Sequence, residues 1–198
     1  LRGVLVSVPS YYKNRMNAYS LETFFRNLGE ESSFPLLLYN FPRVTGIELA
    51  SEMVGSLAAL PAFTGMKDSS GNLVYQQKVL EETSEYEFEI LSGNAETYGF
   101  SRLLGIRAAV LAVGCVVPEL TARLSTIQID EIDEFRRLQR RIYRLSALVV
   151  GRLGVPGVKY AMNLRGFHGG FCREPLLPLS LAEQAEVEQV LNQVLDDE

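Results

Sequence analysis

Five short apolar runs, at 3–8, 35–40, 62–67, 88–92 and 108–113, alternate with stretches of helical spacing at 20–28, 50–60, 73–82 and 95–104. Runs this short, apolar throughout and bounded by turn residues, read as strands buried on both faces. Their alternation with amphipathic segments is the pattern of repeated βα units around a parallel sheet. From Pro118 onward the pattern changes. A helix is expected over 129–150, with Ile132, Phe135, Leu138, Ile142 and Leu145 on one face, and two more over 155–164 and 181–195. Ser180 and Glu183 form a capping box at the start of the last one. The expected organisation is a strand–helix region over 1–127 and a helical region over 128–198.

Five parallel strands suit an open doubly wound sheet or part of a barrel. An open sheet of that kind carries a glycine-rich phosphate turn after its first strand. Here the first strand leads into Pro9-Ser10-Tyr11-Tyr12, and GxGxxG is absent from the chain. Barrels instead gather polar groups at the C-terminal ends of several strands. The strand ends read Tyr39-Asn40, Lys67-Asp68-Ser69-Ser70 and Ser92-Gly93-Asn94, which favours a barrel.

Composition removes several function classes. Nineteen Lys and Arg against 24 Asp and Glu leave a net charge of −5, whereas a nucleic-acid surface needs a basic excess. Arg136, Arg137, Arg140, Arg141 and Arg144 read as a solvated helix face opposed by Asp130, Glu131, Asp133 and Glu134. The longest apolar stretch, 108–117, is half of the ~20 residues a membrane span requires. Two cysteines and one histidine, His168, supply no zinc set, and no metal is expected. Cys115 reads as a small core residue, Cys172 as a loop residue, and His168 as a surface group in a glycine-rich turn. Cysteines this scattered suit a reducing compartment, and the cytoplasm is the expected location, or the mitochondrial matrix in a eukaryote.

Tyr39 and Lys67 end consecutive strands. With strands roughly 4.8 Å apart, a lysine amine and a phenol at equal heights meet. Phe63 and Met66 give Lys67 an apolar setting in sequence, which disfavours an ammonium and favours the free amine. A free amine attacks a ketone to make a Schiff base, and a phenol nearby ferries a proton. The ordinary alternative is that Lys67 pairs with Asp68 or extends its amine to solvent, with Tyr39 merely packed.

These segments resemble the dihydrodipicolinate synthase and N-acetylneuraminate lyase family of Schiff-base aldolases. The resemblance rests on Pro9-Ser10-Tyr11-Tyr12, on Tyr39-Asn40-Phe41-Pro42 with Thr45-Gly46, on Gly65-Met66-Lys67-Asp68-Ser69-Ser70 and on Leu91-Ser92-Gly93, in order and spacing along essentially the whole chain. It implies a (β/α)8 TIM barrel with a C-terminal helical appendage, of which this chain carries the portion from about the fourth to the eighth βα unit. It also implies Lys67 as the Schiff-base lysine, Tyr39 as the proton shuttle, and Tyr12 as a residue that crosses a dimer interface to join a neighbour's relay. Gly93 and Val110 match backbone positions lining the pyruvate pocket. The resemblance further implies no metal or organic cofactor, and a homotetramer built as a dimer of dimers.

Val44 stands where the synthases of lysine biosynthesis carry an arginine that holds the carboxylate of the aldehyde, and Arg43 lies one residue earlier. Tyr11-Tyr12 with Arg15-Met16, the 154–159 segment and Gly169-Gly170-Phe171-Cys172-Arg173-Glu174-Pro175-Leu176 resemble 4-hydroxy-2-oxoglutarate aldolases instead. The resemblance therefore implies cleavage of 4-hydroxy-2-oxoglutarate to pyruvate and glyoxylate, with a 4-hydroxy-tetrahydrodipicolinate synthase of lysine biosynthesis or a sugar-acid aldolase as the alternatives; the expected substrates are pyruvate, or a 2-oxo acid derived from it, and an aldehyde. A complete barrel has eight units and about 250 residues, so the chain is expected to be a C-terminal part that is weakly active or inactive alone. A non-catalytic binding or assembly module of the same fold is the reading from another class.

Overall fold

The computed structural model describes residues 2–196. Five strands, β1 (Val4–Ser7), β2 (Leu36–Asn40), β3 (Phe63–Asp68), β4 (Glu89–Ser92) and β5 (Ala108–Ala109), form one parallel sheet in the order β1-β2-β3-β4-β5. Each strand pairs with its successor, so the strand order never reverses as it does in a doubly wound sheet. Helices α1 (Ala18–Glu31), α3 (Ser51–Ala58), α4 (Leu73–Glu82) and α5 (Tyr98–Leu103) connect the strands, and a short α2 (Pro42–Thr45) follows β2. The remaining helices are α6 (Pro118–Thr126), α7 (Ile132–Ser146), α8 (Gly154–Leu164) and α9 (Leu181–Asp196). The chain clusters into two compact units, one ending at Val110 and the other containing Leu111 to the C-terminus with residues 95–99. The helix α6, grouped with the barrel by the sequence reading, lies in the second unit.

Side-chain alternation divides the sheet into two unlike faces. Leu36, Leu38, Met66 and Ile90 are buried with Phe25 of α1, Met53, Val54 and Leu57 of α3, and Val79 of α4. Phe25 meets Phe63 edge to face at 6.2 Å; truncating either ring to alanine costs about 3–5 kcal/mol. The other face carries Leu37, Tyr39, Lys67 and Leu91, all half-buried. Helices cover the first face only, and on the second Leu5 of β1 is 45% exposed.

A bulge in β3 sets which face each residue takes. Leu36 pairs with Phe63 but Leu37 pairs with Gly65, so Thr64 is an extra residue. Strict alternation would put Phe63 and Lys67, four apart, on the same face. The bulge reverses the parity, leaving Phe63 in the core and Lys67 beside Tyr39. Gly65 is required next to it, because a side chain there would run into the Glu89 carbonyl of β4.

Two further expectations change. The run at 108–113 contributes only a two-residue strand, after which Ala112–Cys115 turns as a 3-10 helix; Cys115 is consequently exposed rather than in the core. The helix expected over 129–150 begins at Ile132 and passes after Ser146 into a π-helical stretch, Ala147–Arg152, with the Leu153 amide bonded to the Leu148 carbonyl at 3.0 Å. The arginine face of α7 has acidic partners, Arg137 with Glu134 and Arg136 with Asp133. The capping box forms as expected: the Glu183 carboxylate accepts from the Ser180 hydroxyl at 2.7 Å and from the Ser180 amide at 2.8 Å, which hold it below its ordinary range in that order of effect.

Tyr75 of α4 is buried, and its hydroxyl has no hydrogen-bond partner among the described residues. Burial, followed by the charges of Asp68, Glu48 and Glu52, pushes its phenol far above its ordinary range. Unfolded Tyr75 ionises above about pH 10 while the folded residue does not, so stability declines as pH rises past that value. Tyr75→Phe removes an unsatisfied hydroxyl and is expected to raise unfolding stability by about 1 kcal/mol at neutral pH. Urea denaturation between pH 7 and 11 is expected to show that gain growing with pH.

Candidate active site

The β2–β3 register pairs Tyr39 with Lys67 and Asn40 with Asp68. Tyr39 and Lys67 share the half-buried face, and the Lys67 Nζ donates to the Tyr39 hydroxyl at 3.3 Å, 4.5 Å from the centroid of the ring. Phe41 stacks on Tyr39 at 5.7 Å and holds the ring in place. The apolar setting expected from Phe63 and Met66 is not the one Lys67 meets, since both side chains are buried on the opposite face. Its neighbours there are Tyr39 and, one strand on, Leu91.

Asp68 does not pair with Lys67. It is fully buried on the other face, where four donors surround its carboxylate. Oδ1 accepts from Asn40 Nδ2 at 2.8 Å and the Ser70 amide at 3.2 Å; Oδ2 accepts from the Ser70 hydroxyl at 2.8 Å and Gln76 Nε2 at 2.9 Å. Opposite ends of both amides are also engaged, Asn40 Oδ1 by the Leu49 amide at 3.2 Å and Gln76 Oε1 by the Ser101 hydroxyl at 2.7 Å. That fixes which end of each amide faces the carboxylate.

Sheet-type hydrogen bonds continue past the strand ends. The Ser69 amide donates to the Asn40 carbonyl at 2.8 Å, Gly93 to Asp68 at 2.6 Å, and Val110 to Ser92 at 2.9 Å. The amides of Gly93 and Val110 are therefore occupied, and these positions offer a ligand only their carbonyl oxygens. Gly93 lies directly against Lys67: a methyl group there would stand 2.8 Å from Lys67 Cε and overlap the Ser69 hydroxyl. The Ser69 hydroxyl is itself buried with no partner among the described residues. The sequence reading gave Ser69 no role of its own. Its signal was the two-residue spacing from Lys67, which in an extended chain returns a side chain to the same face.

Tyr12, Val44 and Val110 stand differently. Tyr12 precedes the 3-10 turn Lys13–Arg15 and is 70% exposed, edge to face with Tyr11. Val44 sits on α2 and is 71% exposed, and the Val110 side chain is 51% exposed. The loops bearing Tyr12 and Val44 do meet, because the Lys13 side chain passes over Gly46 at the end of α2. The structure therefore gathers Lys67, Tyr39 and Gly93, adds Ser69, and leaves Tyr12 and Val44 on an exposed neighbouring surface. His168 is exposed, and Cys172 lines a separate cavity of about 260 Å3 with Lys159 and Asn163.

Comparison with known proteins places the fold in a family. A 4-hydroxy-tetrahydrodipicolinate synthase of Methanothrix thermoacetophila is 32% identical over 189 residues, covering 93% of this chain and 63% of that protein. The chain thus spans less than two thirds of the length of that relative. A dihydrodipicolinate synthase from Bacteroides thetaiotaomicron superposes with a TM-score of 0.86 at 28% identity, over 96% of this chain and 66% of that one. The 2-keto-3-deoxygluconate aldolase of Sulfolobus solfataricus, at 22% identity, shares the fold with a TM-score of 0.88, over 99% of this chain and 66% of that one. With the dihydrodipicolinate synthetase family model matching residues 1–194, the five-stranded sheet is part of a (β/α)8 barrel and the chain belongs to that family.

Proposed function

We propose that this chain carries the Schiff-base lysine of a pyruvate-dependent class I aldolase acting in the cytoplasm. The observation that carries the reading is the Lys67 amine 3.3 Å from the Tyr39 hydroxyl, with Gly93 letting Lys67 and Ser69 approach the next strand end closely. The amine adds to the keto carbon of a 2-oxo acid and water leaves, giving an imine. In the cleavage direction, for 4-hydroxy-2-oxoglutarate, the bond between C3 and C4 breaks and its electrons enter the imine to form an enamine. The C4 hydroxyl loses its proton through Tyr39 and becomes the carbonyl of glyoxylate. Protonation of the enamine at C3 and hydrolysis release pyruvate and regenerate the amine. The imine is the electron sink, so the reaction calls for no metal and no organic cofactor.

The unpartnered Ser69 hydroxyl fits this substrate, because a hydroxylated, carboxylate-bearing adduct gives it a partner. Val44 in place of an arginine before Thr45-Gly46 also supports it. A second reading, 4-hydroxy-tetrahydrodipicolinate synthase, is favoured by the name of the Methanothrix relative. In either case Tyr12 is assigned to a homo-oligomer contact, in a dimer of dimers, consistent with its exposure.

Borohydride reduction in the presence of pyruvate is expected to leave a stable adduct on Lys67, found by peptide mass mapping. An adduct only in a protein carrying the complete eight-unit barrel would show that the other strands complete the pocket; its absence from both that protein and this chain would sink the proposal and promote a binding or assembly role. Supplying pyruvate with glyoxylate, or with other aldehydes, identifies the partner by which one is consumed. Tyr39→Phe is expected to retain the adduct and to slow carbon–carbon cleavage by about 100-fold or more, measured as pyruvate release. Gly93→Ala is expected to cut the adduct yield at least about 10-fold, since its methyl group occupies space beside Lys67 Cε.

A further inference from the structure

Asp68 is fully buried, ionisable, and absent from the chemistry above. None of the four groups that donate to it carries a charge. A carboxylate in that position is costly to bury and is tolerated only when its lone pairs are satisfied. Its partners come from three directions: Asn40 at the end of β2, Ser70 in the turn after β3, and Gln76 on α4. Each partner bears on the site. Asn40 is the residue after Tyr39, and Asp68 itself stands between Lys67 and Ser69. The Asp68 carbonyl also takes the amide of Gly93.

We infer that Asp68 is a positioning residue, whose carboxylate sets the Lys67 amine against the Tyr39 hydroxyl and turns the Ser69 hydroxyl toward Gly93. The inference rests on the aldolase reading and deepens it. Asp68 acts from the opposite face of the sheet and touches no reacting atom. Its bond to Asn40 fixes the β2 and β3 ends at equal height; its bonds to Ser70 close the turn that carries Ser69. Gln76 anchors the carboxylate to α4, and the Ser101 hydroxyl prevents Gln76 from turning over without loss.

Asp68→Asn keeps the size and removes one acceptor, setting an amide NH2 against the NH2 of Gln76. The rate constant for borohydride-trapped pyruvate addition to Lys67, at saturating pyruvate, is expected to fall roughly 10- to 100-fold. The pyruvate concentration giving half the maximal rate is expected to change less than about threefold. A mere loss of folded protein would lower the amplitude of labelling and leave its rate constant intact. The exchange Asp68→Asn with Gln76→Glu restores one carboxylate and one amide across the same hydrogen bond, and is expected to recover most of the rate. If Asp68→Asn does not fold, Gln76→Met removes one of the four donors without a charge change and is expected to slow trapping about three- to tenfold. A wild-type adduct with an unaltered rate constant in Asp68→Asn, or in Gln76→Met when only that variant folds, overturns the positioning role alone. So does a folded exchange variant that fails to recover. These rates are read in a protein carrying the complete eight-unit barrel; absence of an adduct from the wild-type form of that protein overturns the aldolase reading itself.

Discussion

The buried carboxylate of Asp68 ties together parts of the chain that are far apart in sequence. One strand end, one turn and one helix direct four donors at the same two oxygen atoms, and a fifth and sixth group, the Leu49 amide and the Ser101 hydroxyl, hold the outer ends of two of those donors. A buried network of this kind is stabilising only when complete. Its members are therefore constrained jointly, and the end of the sheet where Tyr39, Lys67 and Gly93 converge is built on that constraint. An apolar core packs by volume and tolerates exchange among similar side chains. The Asp68 network specifies donor and acceptor at each position, which is the more exacting requirement.

The two faces of the sheet divide the labour. Leu36, Leu38, Met66 and Ile90 pack under α1, α3 and α4 and supply the hydrophobic free energy. The neighbouring residues on the other face are Tyr39, Lys67 and Leu91. The helix-covered core and the chemical groups thus lie on opposite faces, one residue apart along each strand. Gly93 extends the arrangement to the next strand end, where the absence of a side chain lets Lys67 and the Ser69 hydroxyl close against it.

Much of this was legible in the sequence, and the parts that were not have identifiable causes. The five apolar runs located all five strands, and Tyr39 and Lys67 stood out because each closes a run with a group that apolar strands otherwise avoid. The Ser180–Glu183 cap was readable because it depends on local spacing alone. Cys115 was misread because an apolar run does not reveal where a strand stops, and β5 ends after Ala109. The π-helical stretch at Ala147–Arg152 leaves the hydrophobic period nearly intact, so it too was invisible. Asp68 invited a pairing with Lys67 because the two are adjacent in sequence, yet adjacency in a strand means opposite faces. Its true partners at Asn40 and Gln76 follow from burial and cross-strand register, which no local pattern records.

Thr64 shows how little the chemical end of β3 depends on an even count of residues. It pairs with nothing in β2 and lies exposed, while Phe63 before it and Gly65 after it keep partners that are consecutive in β2. The strand therefore holds one link of slack between its anchor in the core and its working end. Loss of that link would close the ladder into a regular one, with Phe63 still under α1 and Lys67 still beside Tyr39. The single-residue length change that elsewhere in a sheet turns every following side chain inside out is, at this place, absorbed.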